Sequence, residues 1–467
     1  MGLGPTSKRR DAGSSVTSDP PTGGSERDEA RVARSRPRSI AEGGLEAVLS
    51  RVLVLVCLVA LVIVTGRLMQ PAGRGLYALA TVAASLCGLP LGAVWIANAV
   101  EVARRRVSLS EIFGGSMIIA LVGGLATALA AVAFSPLLGD RWWLVALPAA
   151  VTPFMLLSRY QEGLFTSVGH VRAVNLIRIA RGALPLAFIT PPLLAGASVR
   201  TAIAIWVLWW VALPILLFFP TRSLTGPPRL PREDGFYRRV VSYGAKIAGL
   251  NTVTMLNDRV GLVALAAFAT DADVGIYSIA LAGTQALLLV TEAVALSAFQ
   301  RIGGSSREES AALTARAIRH SMLLAATGSA LLVPLTLVAI PLTVGEEYAD
   351  VPILLGLLIP STIGAAAFLP LYIFFEIQIA TAAMRLKVAG SALVANVALS
   401  VALAPVWGRW GVAVGTSVAY LIAGAVAFWC FRAESGTRLR ELQPGRRELR
   451  DYRALARAYV GRWRRAS

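Results

Sequence analysis

Charge is scarce in this chain. Only 15% of its 467 residues are Asp, Glu, Lys or Arg, against roughly a quarter in soluble domains. Histidine is nearly missing, with His170 and His320 far apart, and cysteine is rare. Cys57, Cys87 and Cys430 all lie in apolar runs, with neither a CxxC spacing nor a Cys/His cluster. A disulfide framework and a zinc site are therefore not expected. No G-x-x-x-x-G-K-[ST] loop occurs, so no P-loop supplies energy. H-E-x-x-H and G-x-S-x-G are missing as well, and no polar stretch is long enough to hold a catalytic domain. The expectation is a protein that is not an enzyme and carries no metal or cofactor. Lysine is also rare: Lys8, Lys246 and Lys387 are the only three among 45 basic residues.

What the chain has instead is apolar length. It is 56% hydrophobic, with a mean hydropathy of +0.65. From Arg51 to Phe431 it is a series of apolar runs separated by short polar breaks. Each run is near the roughly 20 residues that cross a bilayer core as a helix. The spacing predicts helices over 52–69, 76–100, 116–134, 142–158, 176–196 and 201–220, then 240–268, 274–300, 320–343, 351–379, 384–404 and 411–431. The expected fold is all-α, a polytopic membrane protein with about twelve transmembrane helices. Pro360 and Pro370 are expected to kink the tenth.

The expected domains follow from these runs. Residues 1–45 form a basic tail too polar to fold. Residues 46–220 form one six-helix bundle, 221–239 a Pro- and Arg-rich cytoplasmic loop, and 240–431 a second six-helix bundle. Residues 432–467 form a second basic tail. In that tail Leu449, Tyr452, Leu455, Tyr459 and Trp463 recur at helical spacing among arginines. A helix lying on anionic membrane lipid has that pattern.

The formal net charge is +18, but its distribution argues against nucleic acid as a partner. Threading the chain through these helices puts 39 of the 45 basic residues on one side. Arg67, Arg74, Arg141, Arg200 and Arg409 fall on the other, and Arg259 inside a helix. That asymmetry predicts a cytoplasmic-membrane protein with both termini in the cytoplasm. On this reading the stretch from Arg159 to Arg181 is cytoplasmic, and Glu101 is solvated near the cytoplasmic interface.

The chain also repeats itself. Gly75-Leu76-Tyr77-Ala78-Leu79-Ala80 opens the second helix, and Gly275-Ile276-Tyr277-Ser278-Ile279-Ala280 opens the eighth, 200 residues later. Six helices lie between them, so the halves share an orientation. This predicts a parallel repeat about an axis along the membrane normal, with a cavity between the two bundles.

Polar groups inside a bilayer are costly and usually face such a cavity. Arg67, Arg74, Lys246 and Arg259 are candidate cationic anchors for an anionic headgroup such as a phosphate or diphosphate, with Asn251 and Gln285 as further substrate-binding candidates. Asn251, Thr254 and Asp258 are spaced to share one helix face. Asp258, Glu292 and Glu376 are candidates for binding a coupling H+ or Na+.

Three stretches carry a family resemblance. They are the turn from Gly66 through Pro71, Gly73 and Gly75 to Tyr77, the segment Asn257-Asp258-Arg259-Val260 followed by Gly275–Ala280, and Asn396-Val397 through Pro405 to Gly411 and Gly415. Their order and spacing resemble the Wzx-type oligosaccharide/polysaccharide flippases of the MATE-like multidrug/oligosaccharidyl-lipid/polysaccharide superfamily, over about residues 50–431. Family members often have an Arg-x-Asp order in the seventh helix, where this chain has Asp258-Arg259. The resemblance implies a MATE-like fold and a polyprenyl-diphosphate-linked oligosaccharide moved between leaflets for surface polysaccharide or lipopolysaccharide biosynthesis, with polysaccharide synthesis enzymes as partners. The other readings are a drug/cation antiporter or peptidoglycan-precursor flippase of the same superfamily, a membrane polysaccharide polymerase or transferase, and a scaffold for synthesis enzymes.

Overall fold

The computed structural model describes residues 40–379, 382–445, 448 and 450. The amphipathic pattern of the C-terminal tail and the first 39 residues lie outside them. Among the described residues nine helices are long and apolar enough to cross a membrane. Two of these, Leu49–Cys87 and Ala383–Ser435, double back, and residues 236–268 add a broken pass. The described chain therefore crosses twelve times. The passes are numbered here in chain order: 40–69, 71–104, 109–134, 143–167, 171–194, 199–225, 236–268, 271–304, 307–343, 351–378, 382–407 and 409–435.

Each doubling back hangs on one residue. Gln70 (φ 58°) turns pass 1 into pass 2, and Gly408 (φ 53°) turns pass 11 into pass 12. Left-handed backbone is cheap for glycine and costly for glutamine. The second hairpin is tight enough that a Cβ on Gly411 would lie 2.4 Å from the Leu403 carbonyl oxygen. Gly411→Val should therefore cost about 1–3 kcal/mol through overpacking. Thermal unfolding of the detergent-solubilised protein would show it as a lowered midpoint; an unchanged midpoint would refute this packing.

Several helices run further than their apolar runs suggest. Pass 9 begins at Arg307, thirteen residues before the expected 320. Pass 4 continues to Ser167 and pass 5 starts at Val171. Hydropathy stops at the first arginine, whereas a helix does not. Pass 2 is broken where one helix is expected: the predicted helix over 76–100 leaves helical geometry after Cys87 and resumes at Val94. Gly88, Pro90 and Gly92 lie in the gap, and all three disfavour continuous helix. Pass 10 remains one helix from Val351 to Gln378 through Pro360 and Pro370.

One end of the bundle carries the turns at 105–108, 168–170 and 226–235 and is rich in arginine; the other carries the turns near 70, 196, 269 and 345. At the arginine-poor end the two predicted repeat segments meet. A Cβ on Gly75 would lie 2.0 Å from the Asp271 carbonyl oxygen and 3.1 Å from the Gly275 nitrogen. A Cβ on Gly275 would lie 1.9 Å from the Pro71 carbonyl oxygen and 3.0 Å from the Gly75 nitrogen. The contact is reciprocal, each glycine pressing on the residue four before the other. Tyr348 donates to the Gly66 carbonyl at 3.0 Å, and Arg141 pairs with Asp271 at 3.1 Å. Together these join the first and second halves of the chain in a seam. Arg409 pairs with Asp273 and Asp350, tying the turns before passes 8, 10 and 12.

At the arginine-rich end Arg239 reaches Glu101 at 3.5 Å and Glu233 at 2.9 Å. Glu101 is buried at 4% exposure rather than solvated. The stretch before pass 7 packs on the start of pass 3, where the Arg229 N–H donates to the Ser110 carbonyl at 3.0 Å. Glu448 straps the C-terminal segment to Arg319 at 2.5 Å. Burial alone would raise the Glu448 carboxyl, but the Arg319 guanidinium and the Gly445 N–H outweigh it and hold the group at about 2.

Candidate functional site

Passes 4 and 5 are joined by only three residues, so they run side by side and antiparallel. Arg159 and Glu162 lie on pass 4, and Arg178 and Arg181 on pass 5. At 1.5 Å per residue they sit roughly 10–15 Å in from the arginine-rich end. Arg178 and Arg181 fall in the helix expected over 176–196, whereas Arg159 lies beyond the expected end at 158 and is inside pass 4, which continues to Ser167. Arginine at such depth costs about 2.5–3.5 kcal/mol on insertion scales unless it is paired or solvated.

Both conditions are partly met. Arg178 Nε donates to Glu162 Oε1 at 2.9 Å. Arg181 Nη2 lies 2.8 Å from Glu162 Oε2, while Nε of Arg181 is buried without a hydrogen-bond partner. One directed donor of this guanidinium is therefore unspent. Arg181 also stacks over Trp210 at 5.5 Å from the ring centroid. Arg159 makes no ion pair among the described residues and is exposed.

All four residues line one cavity of about 410 Å³. Its other walls are the unwound part of pass 2 (Gly88, Leu89, Gly92, Ala93), Trp95 and Ser85 beside it, Trp210 of pass 6, and Ala248, Asn251 and Met255 of pass 7. Gly163 lets Trp95 come close, since a Cβ there would lie 2.7 Å from that of Trp95. The broken helix has a physical role here. Irregular backbone is tolerated at membrane depth where it lines a polar cavity. Tyr160 donates to the Leu91 carbonyl at 2.8 Å, satisfying one group that the break frees. Three arginines against one glutamate leave the cavity a formal surplus of two positive charges. Of the lining side chains Arg159, Thr166 and Arg178 are exposed, and Thr166 is the nearest of them to the arginine-rich end.

A second, smaller cavity of about 60 Å³ lies in the second half, lined among others by Asn257, Asp258, Gln285, Thr416 and Tyr420. Tyr420 donates to Asp258 Oδ1 at 3.0 Å. Behind it the Asn396 amide donates to the Asn257 carbonyl and side-chain oxygens at 3.1 Å and accepts from Ser400 and Thr416 at 3.2 Å.

The structure distributes the residues expected from the sequence over several places. Asn251 lines the larger cavity; Asp258 and Gln285 line the smaller one. Pass 7 breaks after Asn257, so Asn251 and Asp258 do not share a continuous helix face. Arg259, at the start of the next segment, lines neither cavity, and its Nε is buried without a partner. Arg67 donates to the Leu342 and Thr343 carbonyls at 3.1 and 3.2 Å and belongs to the seam. Arg74 is buried, donates to Thr65 at 3.0 Å and stacks on Tyr77. Lys246 is exposed away from both cavities. Glu376 pairs with Arg385 at 2.7 Å, and Arg385 in turn donates to Asn251 at 2.9 Å. The Glu292 side chain lies outside the described residues.

The fold and this cavity define a polytopic helical membrane protein of the MATE-like architecture. The lipid II flippase MurJ, in an inward closed conformation, matches with a TM-score of 0.68 at 12% identity, over 84% of this chain and 87% of that one. An inward-facing multidrug resistance MATE transporter of the MOP superfamily matches with 0.61 at 15% identity, over 88% and 98%. The eukaryotic MATE transporter AtDTX14 matches with 0.57 at 13% identity, over 88% and 98%. At these identities the likeness establishes the fold that the chain shares with these proteins. No protein-family model matches the sequence, and no curated protein does.

Proposed function

We propose that this protein is a flippase that moves a polyprenyl-diphosphate-linked oligosaccharide across the cytoplasmic membrane for surface polysaccharide synthesis. The carrying observation is the arginine cavity on passes 4 and 5, with its surplus of positive charge and the unspent Nε donor of Arg181. Guanidinium forks suit phosphate oxygens. Trp95 and Trp210 offer flat apolar faces to sugar rings, and Ser85, Thr166 and Asn251 offer hydroxyl and amide partners. The volume falls within the range of about 300–1,000 Å³ typical of small-molecule sites. A cationic drug, the cargo of a drug antiporter, would be repelled.

On this reading the arginine-rich end is cytoplasmic, with both termini, and the cavity in this conformation opens to the cytoplasm. The six-helix halves, 46–220 and 240–431, rock about the seam to expose the cavity alternately. Asp258, in the smaller cavity, is the group placed to take a coupling H+ or Na+. The basic tails meet anionic membrane lipid and synthesis enzymes. A peptidoglycan precursor shares the polyprenyl diphosphate, and the fold shared with a lipid II flippase supports that cargo as the second reading.

Deleting the gene and profiling lipid-linked sugars by mass spectrometry tests the proposal and separates the cargoes. Build-up of a diphosphate-linked oligosaccharide with loss of surface polysaccharide is the expected result. Build-up of the peptidoglycan precursor selects the second reading. An unchanged lipid pool, in a strain with no redundant transporter, overturns both.

A further inference from the structure

Among the described residues Glu162 is the one acidic residue lining the larger cavity. Its two oxygens are divided between two arginines, Oε1 on Arg178 at 2.9 Å and Oε2 near Arg181 at 2.8 Å. Its side chain is 13% exposed, against 45% for Arg178 and 28% for Arg181. A purely structural ion pair would spend the donors it holds. Here Arg181 gives only Nη2 to Glu162 and keeps its buried Nε without a hydrogen bond. The carboxylate occupies the place of an anion without fully satisfying the guanidinium.

The charges balance in a particular way. The diester of a polyprenyl diphosphate with a sugar carries two negative charges, one per phosphate. Three arginines, one glutamate and that diester sum to zero. With glutamine at 162 the empty cavity carries three positive charges, and the loaded one keeps a net positive charge.

We propose that Glu162 is a resident anion: it holds Arg178 and Arg181 while the cavity is empty, yields them to the cargo's diphosphate, and retakes them to expel it. This inference rests on the transport reading and deepens it. Arg159, which no carboxylate holds among the described residues, is free to take the diphosphate at once. The cargo then displaces Glu162, because its two phosphates offer more charge and more acceptor oxygens than one carboxylate. Release reverses the exchange. A carrier must not bind its cargo so tightly that it cannot let go. Glu162 is thus the residue that trades affinity for turnover.

The test titrates the purified full-length protein, in nanodiscs of uncharged lipid, with farnesyl-diphospho-N-acetylglucosamine by calorimetry. Translocation of the same diester is followed in proteoliposomes. Glu162→Gln should bind at least about tenfold more tightly and translocate at least about tenfold more slowly. A merely structural glutamate would instead loosen the site, so its loss would lower affinity and rate together. Thr166→Glu adds a second carboxylate one turn along the same helix, at the exposed rim, and should weaken binding at least about tenfold. Unchanged or weaker binding by folded Glu162→Gln overturns the inference while leaving the transport reading intact. If Glu162→Gln does not fold, Thr166→Glu decides, and unchanged affinity there overturns it. A wild-type protein that takes up no diester overturns the transport reading and this inference with it.

Discussion

Arg159→Gln should weaken binding of a polyprenyl-diphosphate sugar about 10- to 100-fold while leaving the fold intact, since a hydrogen bond to a charged group contributes about 1.5–3 kcal/mol. Arg159 is the clean probe because no carboxylate depends on it among the described residues. Arg178 and Arg181 behave differently. Removing either strips the largely buried Glu162 of a partner at membrane depth, which costs stability in its own right, more for the half-buried Arg181 than for the exposed Arg178. Arg181→Gln should therefore lower both thermal stability and binding. Adding Glu162→Gln to it should recover much of the stability without recovering translocation. Replacing all three arginines should abolish translocation. Calorimetry and thermal unfolding on the same preparations separate the two effects. If Arg159→Gln binds like wild type, the diphosphate does not sit where proposed.

A comparable loss is expected from Gly275→Val, by a different route. The seam allows no Cβ: one on Gly275 would lie 1.9 Å from the Pro71 carbonyl oxygen, and one on Gly75 2.0 Å from that of Asp271. Carbon and oxygen in contact need well over 3 Å, so a valine must part the backbones by roughly 1.5 Å or more. Both obstacles are backbone atoms in helices, which cannot swing aside as a side chain can. The halves would then fail to close at the arginine-poor end, and a carrier open there cannot alternate. Translocation should fall at least about tenfold. A cysteine placed at Ser85 in the larger cavity, with the three native cysteines replaced, gives a direct readout. Membrane-impermeant maleimide added from outside should label it in Gly275→Val and not in the parent. Equal labelling in both would mean that the seam does not seal the cavity.

The sequence made the all-α, many-pass fold legible for a simple reason, and it marked the two matched segments without showing that they touch. Apolar runs of bilayer length have few other uses, and the matched segments opening passes 2 and 8 turned out to press against each other at Gly75 and Gly275. The arginine cavity was not legible. Arg159, Glu162, Arg178 and Arg181 are spread over two helices, and the hydropathy reading ends the fourth helix at 158, before Arg159 and Glu162, while Arg178 and Arg181 fall in the expected fifth with nothing to join them to the fourth. Nothing local distinguishes an arginine in a turn from one two or three turns deep. A signal was nevertheless available. Glu162 and Arg178 flank a stretch whose only strong break is near Gly169, and a three-residue turn there makes both helices longer and buries the charges. Gly88-Leu89-Pro90-Leu91-Gly92 was likewise readable as a break in pass 2. The expected anchors Arg67 and Arg74 illustrate the converse. Both were read as charges near a cavity, and the structure gives each a local partner instead: carbonyls of pass 9 for Arg67, Thr65 and Tyr77 for Arg74. Which charges converge is decided by helix packing, which one chain's residue pattern does not encode.

The most direct test of the account is translocation by the purified protein. Proteoliposomes would be loaded with a labelled polyprenyl-diphosphate oligosaccharide, and its appearance in the opposite leaflet followed. Wild type should translocate it, should ignore the matched polyprenyl-monophosphate sugar, and should lose activity with Arg159→Gln. Equal movement of both lipids, or movement indifferent to Arg159, would contradict the claim that a diphosphate is carried on these arginines.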